Sequence, residues 1–131
     1  MIILIKIDGV SYDVDVWCDE LDESFEKLSA DTSGRTQDGT MYIDMIGTCY
    51  IYTLHIGRKS GTDVAQYDKL FEVLSDPVAF NHVEFPHGQK LLSFDAYITS
   101  GSRKLLRQYN GKNYWGDITI KFIPRAPQRR A

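Results

Sequence analysis

Features of metal, redox and membrane proteins are scarce in this chain of 131 residues. Its two cysteines, Cys18 and Cys49, form no C-x-x-C pair, so the sequence predicts no metal or redox site. A reducing compartment favours free thiols over a bridge. No apolar run approaches the roughly 20 residues of a membrane span. The start MIILIKIDG has an apolar stretch interrupted by Lys6 and Asp8, with no basic residue before it, which is not typical of a signal peptide. We therefore expect a protein made in a cytoplasm, with no membrane as a partner.

Signatures of catalysis are also missing. No Ser-His-Asp or Cys-His pattern occurs in a readable context, and no acidic pair falls in an apolar pocket that would raise a carboxyl pKa. His82 and Glu84 share one face of a predicted strand, and His87 follows the turn. Their spacing matches no standard metal motif and is more typical of surface histidines. The sequence therefore predicts a protein that is not an enzyme and has no cofactor or metal.

The stretch SGRTQDGTMYIDMIGT, residues 33–48, resembles a phosphate loop only in its glycine spacing. Gly34 and Gly39 are placed as in G-x-x-x-x-G, but Thr40 and Met41 follow where Lys and Ser or Thr are needed. The following residues are rich in Tyr, Ile, Thr and Met and favour a strand. We interpret residues 31–57 as a loop that leads into a long β-arm, with Gly47 at a bulge or bend.

Charge is divided unevenly along the chain. Residues 1–66 carry 12 acids and 5 bases, whereas residues 67–131 carry 6 acids and 10 bases. Seven carboxylates lie between Asp13 and Glu26, and bases gather at Arg103, Lys104, Arg107 and in the tail. A solvated surface is one interpretation; a molecule with a negative and a positive patch, able to associate head to tail with its own copies, is the other. The basic cluster is small and the whole chain is acidic, so no nucleic acid is expected as a partner.

Periodicity predicts an α+β fold that is mainly β. Alternating segments predict a hairpin over 2–17 with Gly9 in its turn, a second hairpin over 80–99, and a last strand over 114–123. A helix over 63–75 is capped by Thr62 or Asp63 and shows an apolar stripe. Residues 18–30 fit helix or strand, and residues 100–113 are expected to form a polar loop. We predict a two-sheet β-sandwich or split barrel of mostly antiparallel strands with this one flanking helix.

A single β-rich domain is expected over residues 1–123, followed by a flexible basic tail at 124–131. The predicted core contains residues of the helix stripe and of the later strands: Tyr67, Leu70, Phe71, Leu74, Phe94 and Trp115.

The order of these features resembles that of small proteins from the structural gene clusters of tailed bacteriophages and prophages. The resemblance rests on IKIDGVSYDV, GRTQDGTMYIDMIGT, YDKLFEVLSDPV, HVEFPHGQ, FDAYIT and NYWGDITIKFI, and covers residues 2–130. By the order of elements the chain is similar to tail-tube and distal-tail (baseplate) proteins. That similarity implies a ring around the tail channel, with six copies as the suggested number. It also implies other tail proteins as partners, and a place in the host cytoplasm during assembly and in the virion tail afterwards.

Two functions are therefore expected in order of preference. The first is a non-enzymatic virion component that forms a ring by self-association. Its candidate interface combines a loop arginine, two loop carboxylates and the late basic cluster: Arg35, Asp38, Asp44, Arg103, Lys104 and Arg107. The alternative is a monomeric β-sandwich module that binds carbohydrate or peptide through Tyr42, Tyr50 and Tyr52.

Overall fold

A computed structural model describes residues 5–12, 21–56 and 64–131. These residues form eleven strands and one helix, in chain order β1 (Ile5–Ile7), β2 (Val10–Tyr12), β3 (Leu21–Ser29), β4 (Gly34–Arg35), β5 (Met41–Tyr42), β6 (Met45–Ile56), α1 (Val64–Leu74), β7 (Asn81–His87), β8 (Lys90–Tyr97), β9 (Gly101–Tyr109), β10 (Lys112–Pro124) and β11 (Arg129–Arg130). The prediction of a mainly β fold with one helix is confirmed.

Two antiparallel layers share the long strand β10. Sheet I contains β2, β1, β7 and β8 in that order, and sheet II contains β3, β6, β10 and β9 in that order, with the short β11 also paired to β6. The middle of β10 pairs with β6 and β9, and its last residues, Ile123 and Pro124, pair with β8. The layers form a sandwich that is not closed into a barrel.

The core lies between the two sheets and under the helix. Alternate positions of the central strands point inwards, as the two-residue period of a strand requires. The fully buried side chains include Ile7, Tyr52, Leu54, Ile56, Phe85, Ile118, Ile120 and Phe122. Helix α1 adds Tyr67, Leu70 and Leu74 to this cluster, and Phe71 packs beside it. The predicted helix and its buried face are confirmed; Thr62 and Asp63, the predicted caps, lie outside the described residues.

Trp115 was wrongly predicted to be a core residue. Its side chain is 37% exposed, and Trp115 lies in the first part of β10, which pairs with β9 alone. The indole ring is covered from one side by Arg103, whose guanidinium carbon lies 4.4 Å from the ring centroid. The tryptophan therefore helps to hold an arginine at the margin of the core.

Tight turns form where the chain offers glycine after a polar residue. Asp8 and Gly9 have φ angles of 53° and 81°, and Asn110 and Gly111 have 52° and 73°. Both pairs give the twist that two-residue hairpin loops need. The first turn confirms the predicted hairpin at Gly9, although residues 13–17 of its second strand lie outside the described part. The second turn joins β9 to β10, so residues 100–113 form a strand and a hairpin and not the predicted loop.

Residues 21–29 form a strand, which decides the open choice between helix and strand. The whole of β3 pairs with β6, from Leu21 opposite Leu54 to Ser29 opposite Met45. The register shifts between Leu28 and Ser29, opposite Gly47, so the predicted irregularity at this glycine is confirmed.

The C-terminal tail is docked, contrary to the predicted flexibility of residues 124–131. Arg129 and Arg130 pair with β6, and the side-chain amide of Gln128 both donates to and accepts from the backbone of Tyr50, at 2.9 Å each. A Cβ atom at Gly47 would lie 2.5 Å from the carbonyl oxygen of Arg129. The absence of a side chain at Gly47 lets the tail approach, and the edge of β6 supplies the hydrogen bonds that hold it.

Candidate self-association surface

The two outer strands of sheet II are the most exposed of the long strands in the described part of the chain. Within that part, β3 pairs with β6 alone and β9 with β10 alone, so each leaves one row of backbone donors and acceptors without a β-partner. Such edges are templates for pairing with another chain. Here both edge strands are nine residues long.

Opposite charges mark the two edges. The β3 edge carries Asp22, Glu23 and Glu26 with a single lysine, Lys27, whereas the β9 edge carries Arg103, Lys104 and Arg107 and no acid. The sequence prediction of a negative and a positive region thus corresponds to the two sides of one sheet. The larger part of the acidic block, residues 13–20, lies outside the described residues.

Exposed apolar side chains accompany these charges. Phe25 on β3 is 63% exposed and Leu105 on β9 is 45% exposed, and both lie in strands with outward polar neighbours. Further exposed apolar residues occur around the small two-stranded sheet of β4 and β5 and beside it: Leu28, Met41, Tyr42, Ile43 and Ile46. Large apolar side chains clustered on a surface are typical of interaction sites. Of these residues the sequence analysis singled out only Tyr42, because an apolar residue in a strand pattern does not by itself show which face of the strand is left uncovered.

Two loop residues of the predicted interface, Arg35 and Asp38, form their hydrogen bonds with residues of their own hairpin. Arg35 donates to the carbonyl oxygen of Gly39 at 2.9 Å, and its side chain forms no hydrogen bond or ion pair with Asp38 or Asp44. Asp38 accepts from the backbone of Thr40 at 3.0 Å and from the hydroxyl of Thr36. The hydrogen bond from Thr36, and then the one from Thr40, lower the pKa of Asp38.

Asp44 also forms its hydrogen bond within its own subunit, next to the β4–β5 hairpin. Its carboxylate accepts from the hydroxyl of Thr32 at 2.8 Å. The three loop residues therefore shape the tip of the arm, and the structure does not bring them next to the basic cluster on β9.

Arg103 is held inside the subunit. Its guanidinium lies between the rings of Phe71 and Trp115, 4.3 Å and 4.4 Å from their centroids, and donates to Asp68 of α1 at 2.9 Å. Cation–π contact and a carboxylate together fix it against the helix. Lys104 and Arg107 are exposed, with the Arg107 guanidinium 5.0 Å from the ring centroid of Tyr109. Of the basic cluster, Lys104 and Arg107 are the charges that the edge presents.

A small polar cluster ties the acidic edge to sheet I. Glu23 accepts from the hydroxyl of Tyr52, and its Oε2 lies 2.6 Å from Nδ1 of His87. Tyr52 also approaches the carbonyl oxygen of Pro86 at 3.0 Å, and the ring of Tyr50 packs on His87 at 4.5 Å. Three strands, β3, β6 and β7, meet in this cluster, so it fixes the position of β3.

Titration of the cluster reflects its hydrogen bonds. Burial by itself raises the pKa of Glu23, but the hydrogen bonds from Tyr52 and His87 and the charge of His87 outweigh it, so the pKa is lowered. Burial, and then the hydrogen bond with Glu23 and its negative charge, raise the pKa of Tyr52. Both shifts favour an ionised Glu23 that accepts from a neutral Tyr52.

Acid should weaken this cluster. Because the pKa of Glu23 is lowered on folding, its contribution to stability is complete above the ordinary value of 4.5 and is lost as the pH falls through the folded value. Glu23→Gln should therefore cost at most about 1 kcal/mol at pH 7, since Glu23 is partly exposed, and the cost should shrink in acid. Urea unfolding at several pH values measures it. Glu26→Gln, on the same strand, is the matched control; equal losses for both variants at pH 7 would remove the special role of Glu23.

His82, Glu84 and His87, which the sequence places close together, each contact a different partner. His82 lies 3.0 Å from Asp95, while Glu84 accepts from Ser93 at 3.2 Å and lies near Lys6. His87 belongs to the Glu23 cluster. No group of three or more potential metal ligands occurs among the residues that the structure describes.

The tyrosines of the alternative function do not form one groove. Tyr52 is fully buried, Tyr50 is half-buried, and Tyr42 is exposed on the small β4–β5 sheet. A ligand cannot stack on Tyr52 without opening the core.

No family model matches the chain, and no curated protein matches its sequence. Among the described residues, no helix has the length and apolar character required to cross a membrane.

Proposed function

We propose that the chain is a non-enzymatic structural component of a tailed bacteriophage or prophage particle that forms a ring by self-association. One observation supports this most directly: on each side sheet II ends in a nine-residue strand whose outer edge has no β-partner in the described part of the chain, and one of these strands is acidic and the other basic. A surface that differs at its two ends and is complementary to itself joins copies head to tail, which produces rings or filaments.

Strand direction supports the same arrangement. Four strands, β3, β6, β10 and β9, lead from one edge of sheet II to the other, and each pairs antiparallel with its neighbour. β3 and β9 therefore run in opposite directions, so the β3 edge of one copy meets the β9 edge of the next as an antiparallel pair. An odd number of alternating strands would bring the edges together in parallel. Four strands allow the sheet to continue from copy to copy without changing its hydrogen-bond pattern.

The place of this component in a particle follows from the resemblance to tail-tube and distal-tail proteins. We propose that it is assembled in the bacterial cytoplasm, that it becomes part of the tail or baseplate, and that other tail proteins are its partners. The exposed apolar residues around β4 and β5 give such partners a surface beyond the sheet edges.

Light scattering after size separation tests self-association. We expect oligomers at micromolar concentration in low salt and a smaller oligomer population in high salt. Between 0.1 M and 1 M salt the Debye length falls from about 10 Å to about 3 Å, so exposed charge pairs lose most of their attraction. Apolar contacts at Phe25 and Leu105 should keep part of the association. A strict monomer at every concentration and salt would contradict the proposed function.

A further inference from the structure

The register of the contact between copies can be derived from the faces of the two edge strands. On β3, Leu21 packs against the core and Glu23 contacts Tyr52, so odd-numbered residues face inwards and Asp22, Ser24 and Glu26 face outwards. On β9, Arg103 reaches the helix and Leu105 lies opposite Trp115 on the same inner side. Lys104 therefore faces outwards.

Only registers that match inner with inner residues are compatible with one continuous sheet, because a slip by one residue exchanges the faces of a strand. We infer that β3 of one copy pairs with β9 of the next copy in the register that places Phe25 opposite Leu105 and Glu26 opposite Lys104. This inference rests on the self-association proposed above. It names which backbone positions of the two copies meet.

Neighbouring registers lose both the opposite-charge pair Glu26–Lys104 and the apolar pair Phe25–Leu105. A slip by two residues, the smallest that keeps the faces matched, brings Lys104 opposite Ser24 or Leu28 instead of Glu26. The same slips bring Leu105 opposite Glu23 or Lys27 instead of Phe25. Directly opposite apolar and opposite-charge pairs are the ones that stabilise antiparallel strands.

A bulge in β9 changes the face of the strand on which Arg107, the second exposed basic residue, lies. Trp115 lies opposite Leu105 and Tyr114 opposite Arg107, so β9 has one extra residue between them and Arg107 turns to the outer face. In the inferred register Arg107 then lies beside Ser24, diagonally between Asp22 and Glu26. The one like-charge pair, Lys27 against Arg103, is relieved because Arg103 is directed to Asp68 and the two rings.

This register staggers successive copies along the strands. One row of paired residues crosses sheet II from edge to edge: Leu21, Leu54, Ile120 and Gly101. From that row β3 runs towards the arm, whereas β9 runs towards the other end of the sheet. Bringing Ser29 of one copy opposite Gly101 of the next displaces the copies by eight residues, from position 21 to position 29, or roughly 26 Å. Strands must be inclined in this manner for a sheet to close on itself.

Disulfide formation between single-cysteine variants tests the register. Leu28 and Ser102 lie opposite each other in it, and neither belongs to the charge pairs. Both natural cysteines are first replaced by serine. Leu28→Cys mixed with Ser102→Cys should form a disulfide-linked dimer at least about tenfold faster than two comparison pairs, because opposite Cβ atoms are about 5 Å apart and those two positions along are about 7–8 Å apart. The comparison pairs are Glu26→Cys with Ser102→Cys and Leu28→Cys with Lys104→Cys, which report the two slipped registers.

The outcomes separate the register from the proposed function. A faster reaction in a comparison pair, or equal rates in all three, overturns the register while oligomers in light scattering leave self-association standing. A monomer in light scattering contradicts both. Hydrogen exchange on the unmodified chain provides a second measurement that needs no variant. Association should slow the exchange of amide hydrogens along the whole of β3 and β9. Slower exchange at only one end of either strand would overturn the register, in which the two strands pair over their full length.

Discussion

Leu70→Ala is expected to reduce the free energy of unfolding by roughly 2–5 kcal/mol, the usual range for a buried leucine that leaves a cavity. Leu70 is fully buried at the centre of the apolar stripe of α1. It shares one core cluster with residues of both sheets, including Leu54 and Val83. Removal of its side chain therefore weakens the contact of the helix with both layers. Urea unfolding of the purified variant measures the change.

Lys69→Ala is the matched control for this prediction. Lys69 is the neighbouring residue on the same helix and is exposed, so its replacement should change the free energy of unfolding by less than about 0.5 kcal/mol. A loss below that limit for Leu70→Ala would show that the helix does not cover the core with this face. Equal losses for the two variants would indicate that helix propensity, and not burial, determines them.

Strong local patterns made much of the fold predictable. The helix stripe, the turn at Gly9 and the alternation in β8 and β10 each combine a clear period with a turn or cap signal. The Asn110–Gly111 pair is a hairpin signal of the same quality, and its use would have predicted β9. The polar composition of residues 100–113 concealed it. β9 lies at an edge, so most of its side chains face water.

Where two periods compete, tertiary contacts decide the structure. Leu21, Phe25 and Leu28 are spaced as on a helix, yet β3 is a strand because β6 offers a long partner and Glu23 meets Tyr52 and His87. The docked tail is a similar case. Its fixation depends on the space at Gly47, which no local pattern of prolines and arginines can reveal.

The candidate site was predictable in charge but not in geometry. The uneven charge distribution could be read along the chain, and two of its residues, Lys104 and Arg107, are exposed on the β9 edge. Which strands form the edges follows from the order of strands in the sheet, a long-range property. Arg103 shows most clearly that charge in the sequence does not reveal which contacts a side chain makes. Its charge suggested an interface, while its contacts with Asp68, Phe71 and Trp115 give it a role in the subunit itself.

Charge reversal at the β9 edge is expected to weaken self-association strongly. Lys104→Glu combined with Arg107→Glu places acidic residues against the acidic β3 edge, and association at low salt should fall by roughly ten- to a hundredfold. The thermal stability of the monomer should stay nearly unchanged because both side chains are exposed. Arg103 is left in place, since its reversal would also disrupt its contacts with the helix. Lys69→Glu combined with Lys90→Glu, on α1 and β8, makes the same change in net charge outside both edge strands and should associate as the unmodified chain does.

Restoration by the opposite reversal makes this prediction specific. Asp22→Lys combined with Glu26→Lys creates a chain whose two edges are both basic, and it should associate as poorly as the variant whose edges are both acidic. In an equimolar mixture, each edge of one variant finds an edge of opposite charge on the other, so association should recover with the two variants alternating around the ring. Light scattering and mass spectrometry of the mixed oligomers measure both size and composition. A mixture that stays as weak as its components would show that β3 and β9 do not meet. Undiminished association of either variant alone would show that the charges on the edges are only solvated.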